Sequence, residues 1–272
     1  MFWSKQLTIQ PTLDSGSTLD PGSSASQPQP GSLSATKWLL CLLLAGGGSW
    51  VGFAKPPITF EIPAELKDVD PNSSAAMKAK RETADVAAYW KNVLFQFSWA
   101  GLFMGSVGLS ATILTGTKRY GVAIATLSIG IVSGILAGAC GALLRKSLDK
   151  GTWFEFLSED LRPLASDVAV LAVVSALLLV PVGSYIYLCG QKEARQKSVS
   201  AVLSGFITGM LTPVLVSMLT VFALIAPEYN TESFPLVGFP VITLWLSMLV
   251  LVGFGASAVT GTRIAKTAKI RS

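Results

Sequence analysis

The chain has 272 residues, of which 51% are apolar and only 14% are charged. Soluble domains carry about 25% charged residues, whereas here six windows without Asp, Glu, Lys or Arg hold more than half of the chain. This pattern excludes collagen, a coiled coil, a fully disordered chain and a nucleic-acid binder with basic charge spread over its surface. We therefore expect an all-α, polytopic integral membrane helical bundle with about six transmembrane helices.

The N-terminal segment, residues 1–36, is rich in Ser, Thr and Pro and nearly uncharged. Because it cannot bury enough apolar surface to offset its ordering entropy, we predict a disordered tail. A modified or partner-binding tail is the alternative. Residues 37–54 hold the first apolar window, at the lower limit for crossing a bilayer as a helix. They are predicted to be a transmembrane anchor, and the alternative is a secretory signal with a small-x-small cleavage site at 52–54.

Residues 55–91 are predicted to form an extramembrane loop with a short helix. The stretch 56–63 alternates apolar and polar residues between prolines, which favours an extended segment. Ser73 or Ser74 can then cap a helix that runs to Trp90, just before the next span. So short a segment rarely sustains a core alone, so no separate domain is expected here.

Residues 92–262 are predicted to form a five-helix transmembrane bundle, followed by a basic C-terminal tail over 263–272. Continuous apolar runs favour helices over the alternating strands of a membrane barrel. Each window reaches the roughly 20 residues that a spanning helix needs. The five windows are 92–117, 120–144, 168–191, 198–227 and 233–262.

The connection between the third and fourth spans has a helical pattern of its own. Apolar side chains recur at helical spacing while acidic and basic residues take another face, which predicts an amphipathic helix lying in the membrane interface. The alternative is a lid or lateral gate. The apolar residues are Trp153, Phe154, Leu157, Leu161 and Leu164.

The distribution of Lys and Arg predicts the orientation of the chain. Nine basic residues flank the spans on the side of the C-terminus, against four in the short loops of the other side. The positive-inside rule therefore favours a cytoplasmic C-terminus, although the 55–91 loop on the outer side carries six basic residues beside six acidic ones.

The composition also limits the catalytic and metal-binding chemistry that the protein can perform. The absence of His removes the usual general base at neutral pH and the commonest metal ligand. None of the six windows contains Asp or Glu, so we expect no buried charge and no carboxylate proton relay. The three cysteines are interpreted as small buried residues, neither a disulfide framework nor a metal site. No catalytic, cofactor or metal residue is predicted.

The positive signals concern helix packing. Glycines recur at four-residue spacing in three windows, and such stripes let neighbouring backbones approach closely where lipid offers no hydrophobic drive. The partner is predicted to be a neighbouring span, and the alternative is another subunit. The glycines are Gly101, Gly105, Gly130, Gly134, Gly138, Gly205 and Gly209.

The fifth window carries a second stripe of hydroxyl residues, Ser204, Thr208 and Thr212, followed by Pro213. Pro213 cannot donate to the carbonyl of Gly209, so the helix should kink or loosen there. Two interpretations stay open, a polar path through a bent helix and ordinary packing beside a proline, of which packing is favoured.

These features favour a membrane protein without a catalytic site, acting as a structural, accessory or assembly component of a membrane complex. Its expected partners are the lipid bilayer and either another membrane protein or a second copy. The alternative function is a transporter or channel for a neutral or apolar solute. An enzyme ranks third.

Overall fold

The computed structural model describes residues 35–67, 74–116, 119–150, 153–159, 161–189, 194–221 and 241–251. Within these ranges the chain is mostly helical and contains no strand. The helices are α1 (Ala35–Ala54), α2 (Ala64–Lys67), α3 (Ala75–Thr115), α4 (Tyr120–Lys150), α5 (Leu161–Leu188), α6 (Ala194–Val221) and α7 (Val241–Leu251).

The predicted all-α membrane bundle is confirmed. Five helices, α1 and α3 to α6, are long and apolar enough to cross a bilayer. The sixth predicted span is described only over α7. The tail predicted over 263–272, and nearly all of the tail predicted over 1–36, lie outside the described residues.

The short helix predicted before the second span does not exist as a separate element. Helix α3 runs without a break through 41 residues, a length of about 60 Å where the hydrocarbon core needs about 30 Å. Ser74 caps its start by accepting a hydrogen bond from the Met77 amide, and Gly116 ends it at a φ of 64°. No helix breaker separates Trp90 from the apolar window, and therefore the polar and apolar halves propagate as one helix.

The stretch predicted to be extended, 56–63, is non-helical and lies against α3. The Phe60 amide donates to Asn92 Oδ1 at 2.8 Å, and Asn92 Nδ2 donates to the Phe60 carbonyl at 2.9 Å. The Phe60 ring also packs edge-on against Phe95. One amide side chain thus satisfies both backbone groups of Phe60 and fixes the segment to the helix.

The prediction of an amphipathic interface helix over 153–164 is wrong. Residues 153–159 form turns, and Leu161 and Leu164 belong to α5. The Ser158 carbonyl accepts from the amides of Leu161 and Arg162, which starts α5 at this point. Pro163 is tolerated there because first-turn amides have no intrahelical partner.

The bundle consists of two antiparallel hairpins, α3 with α4 and α5 with α6, joined by contacts of α4 and α3 with α5. Helix α1 packs on α3, where the Ser49 hydroxyl donates to the Ala100 carbonyl at 3.1 Å. Helix α7 contributes six buried apolar residues to the core: Val241, Ile242, Trp245, Leu246, Leu249 and Val250.

Candidate functional site

The predicted glycines of α3 and α4 lie against one another. A methyl group added at Gly105 would come within 2.6 Å of the Thr126 carbonyl oxygen and 2.9 Å of the Leu127 Cα. Additions at Gly101, Gly130 and Gly134 would likewise meet the backbone of the opposite helix at less than 3.0 Å. The partner of this glycine face is therefore the neighbouring helix of the same chain.

Gly138 differs from the other glycines of its stripe. An added methyl group there would meet the Phe97 side chain, at 3.0 to 3.2 Å. The nearest atom, Phe97 Cβ, is fixed to the α3 backbone and Phe97 is only 1% exposed, so this contact is tight but less severe than the backbone contacts of Gly130 and Gly134.

In the α5–α6 crossing the glycines of both helices face larger residues, and an added methyl group at Gly183 of α5 would come within 2.9 Å of the Ser198 carbonyl oxygen of α6. An added methyl group at Gly205 would come within 2.6 Å of the Ser175 carbonyl oxygen, and one at Gly209 within 2.6 Å of the Ala172 Cα. Helix α5 offers Leu171, Ala172 and Ser175 to this contact. The approach is close because α6 has no side chain at these two positions.

The hydroxyl stripe of α6 is buried and bonded to its own helix. Ser204 donates to the Ala201 carbonyl at 2.6 Å, Thr208 to Ser204 at 2.8 Å and Thr212 to Thr208 at 2.8 Å. Helix α6 continues through Pro213. Serine and threonine satisfied by the preceding turn need no solute or water as partner, and a polar path at this stripe remains a prediction.

Two charged side chains, Arg145 of α4 and Asp167 of α5, are buried together at the end of the bundle where α4 ends and α5 begins. They are only 8% and 5% exposed, and Arg145 Nη1 forms an ion pair with Asp167 Oδ1. Arg145 Nε also lies 3.2 Å from Oδ1 of the half-exposed Asp149. The expectation of no buried charge is therefore wrong.

The charge-free windows do not predict this ion pair, because both residues stand directly beside a window. Asp167 precedes Val168, and Arg145 follows Leu144, so both fall outside the predicted spans. The structure places them inside longer helices. A usable signal existed, since Arg145 continues the small-residue face of α4 through Gly134, Gly138 and Gly141 at helical spacing.

The core between the hairpins also contains an aromatic cluster around α7. The Phe53 ring lies 5.0 Å from Phe97 and 5.6 Å from Trp245, both edge-on. The Trp245 indole donates to the Ser175 hydroxyl at 2.8 Å, and Trp50 donates to Thr243 at 3.0 Å. Helix α7 is thus attached to α5 and α1 through satisfied indole groups.

The cysteines lie in three different environments. Cys41 is fully buried, Cys189 is partly buried and Cys140 is exposed on α4, and all three are free thiols. The interpretation of all three as buried residues is therefore wrong for Cys140. Across the ranges that the structure covers, no group of three His, Cys, Asp or Glu side chains could hold a metal ion.

No protein-family model matches the chain, and neither curated proteins nor solved structures match it. The class of the protein follows from its own fold, which is that of an integral membrane helical bundle. Two buried polar contacts connect helices to one another: Arg145 with Asp167 joins α4 to α5, and Ser175 with Trp245 joins α5 to α7.

Proposed function

We propose that the protein is a non-catalytic component of a membrane assembly and that it binds its partner through the extramembrane part of α3. We name residues 75–88 the α3 arm. None of its side chains is buried, although the helix is continuous with a membrane span. This uncovered helix is the observation that carries the proposal.

A solvated helix of this length is marginal in isolation, since helices below about 12 to 15 residues seldom persist in water. The arm is stabilised at one end by the Ser74 cap and at the other by the span itself. The extended segment at Phe60 packs beside Asn92 and Phe95, beyond the arm. The arm therefore keeps an exposed surface that includes Ala79 and Val86.

The absence of catalytic function is part of the proposal. It is supported by a sequence without His and by hydroxyl groups on α6 that are already bonded to their own helix. The Arg145–Asp167 pair is closed off by burial and supports a structural role, because a reacting group must reach its substrate.

We further propose that the C-terminus is cytoplasmic and that the α3 arm lies on the opposite side. The nine basic residues on the C-terminal side against four in the short opposite loops support this orientation. A membrane-impermeant maleimide should label a cysteine introduced at Glu82 in sealed, right-side-out vesicles. Labelling only after permeabilisation would show the opposite orientation and contradict the proposal.

The assembly proposal is tested by purifying the full chain in mild detergent. A second polypeptide, or a second copy of this chain, should be recovered in fixed stoichiometry. The double variant Ala79→Gln and Val86→Gln should lose that companion, because it replaces apolar contact area with amide groups that must be desolvated. Ile58→Gln, at an exposed apolar site outside the arm, is the matched control and should retain it.

Two results would contradict the proposal. One is a monomer without companion when the chain is extracted directly into lipid nanodiscs. The other is a companion whose recovery is equal for the arm variant and the Ile58→Gln control, which would place the partner on another surface.

A further inference from the structure

We infer that the protein has a binding groove for one acyl chain of a zwitterionic phospholipid, formed by α4, α5, α6 and the turn over 153–159. The groove has a volume of about 610 Å³, within the roughly 300 to 1,000 Å³ of ligand pockets. All of its lining residues are apolar. This inference is independent of the α3 arm.

The floor of the groove is one face of α5. Its lining residues run from Leu161 to Val173 at steps of three and four, and three of them are alanines, Ala165, Ala169 and Ala172. Small side chains on the floor, flanked by larger residues on both neighbouring helices, produce the concave shape. Phe206, Met210 and Val214 of α6 form one wall, and Leu144 of α4 lies on the other side.

The length of the groove corresponds to one leaflet. Twelve residue steps along α5 at 1.5 Å each give about 18 Å, against about 15 Å for half of the hydrocarbon core. The groove begins beside the 153–159 turn, where Trp153 is 67% and Phe156 is 81% exposed. Exposed aromatic rings of this kind lie at headgroup level, so the groove extends from the interface toward the bilayer midplane.

The 153–159 turn closes the interfacial end of the groove. Phe154 and Leu157 line it from this turn. The Arg162 guanidinium donates to the carbonyls of Leu157 and Glu155, both at 3.2 Å, and so fixes the turn to the first turn of α5. The ion pair of Arg145 with Asp167 lies next in sequence to the lining residues Leu144 and Val168.

The charges around this end favour a headgroup without net charge. Outside the buried pair of Arg145 and Asp167, the sequence from 145 to 167 carries three basic and four acidic residues. An anionic headgroup would therefore meet a segment with a small excess of negative charge, whereas a zwitterion presents both signs. These charged residues are Lys146, Lys150 and Arg162, with Asp149, Glu155, Glu159 and Asp160.

The test is photocrosslinking of the full chain in vesicles of phosphatidylcholine that contain a minor fraction of phosphatidylcholine with a diazirine at the end of one acyl chain. Peptide mapping should find a several-fold enrichment of label at Val173, Phe206 and Met210, the deep end of the groove. The reference is Ile131 and Val132 on the exposed face of α4. Equal labelling of both sets, relative to exposed area, would overturn the inference.

Two variants and a second lipid probe sharpen this test. Ala169→Trp fills the floor and should remove the enrichment, while Val132→Trp on the open lipid face should leave it unchanged. If Ala169→Trp does not fold, the mapping on the unaltered chain still decides between the outcomes. A stronger enrichment with the same diazirine on phosphatidylglycerol would contradict the choice of a zwitterionic lipid.

Discussion

The α3–α4 and α5–α6 hairpins are both closed by glycine, but in different ways. In α3–α4 each helix supplies glycines, so backbone meets backbone from both sides at Gly101 and Gly130. In α5–α6 both helices also supply glycines, but each of them faces a larger residue: Gly205 and Gly209 of α6 face Ser175 and Leu171, and Gly183 of α5 faces Ser198. Four-residue glycine spacing therefore marks a close crossing in both hairpins, whereas the residues that face the glycines differ between them.

The largest effect is expected from Gly134→Leu, which places a branched side chain where even a methyl group would meet the backbone of α3. Since this backbone cannot yield without separating the helices, the loss should exceed the about 1 to 3 kcal/mol of ordinary overpacking. Unfolding of the purified protein in mixed micelles measures it.

The matched control for this substitution is Gly121→Leu on the same helix, where an added methyl group would meet nothing within 4 Å. It should unfold like the parent protein. If Gly134→Leu were as stable as Gly121→Leu, the close crossing of α3 and α4 would be refuted.

A second prediction concerns the joint between the hairpins. Asp167→Ala removes the carboxylate that pairs with the buried Arg145 guanidinium and leaves the half-exposed Asp149, whose Oδ1 lies 3.2 Å from Arg145 Nε, in place. Removal of one partner from a buried ion pair costs about 3 to 5 kcal/mol, and the remaining carboxylate places this loss near the lower end. Asp149→Ala should cost far less, so equal unfolding free energies for the two variants would show that the buried contact does not join α4 to α5.

The smallest expected effect distinguishes a glycine that faces the backbone of the opposite helix from one that faces a side chain. Gly209→Ala presses a methyl group against the α5 backbone and should destabilise the bundle by about 1 to 3 kcal/mol. Gly138→Ala meets the Cβ and ring of the buried Phe97 at 3.0 to 3.2 Å, a less severe contact than that of Gly209 with backbone, and should cost less than Gly209→Ala. Equal losses in the same unfolding assay would mean that the identity of the opposing atoms does not matter.

Most of the helices could be predicted from the sequence, because apolar runs bounded by charge must be spans. Their ends could not, since charge-free windows show only where hydrocarbon begins. Helix α3 continues past its window to Ser74, and α5 starts seven residues before Val168. This extension brings Asp167 into a helix and beside Arg145, a contact invisible to any count of charges along the chain.

The sequence by itself determined the class of the protein and which faces can pack tightly, because both depend on local composition and on the 3.6-residue period of the helix. Only the tertiary structure decided which helix each glycine meets, that the α6 hydroxyls bond to their own turn, and that α4, α5 and α6 leave an apolar groove. These features depend on the relative placement of segments far apart in the chain, and that placement is set by the packing of whole helices against one another.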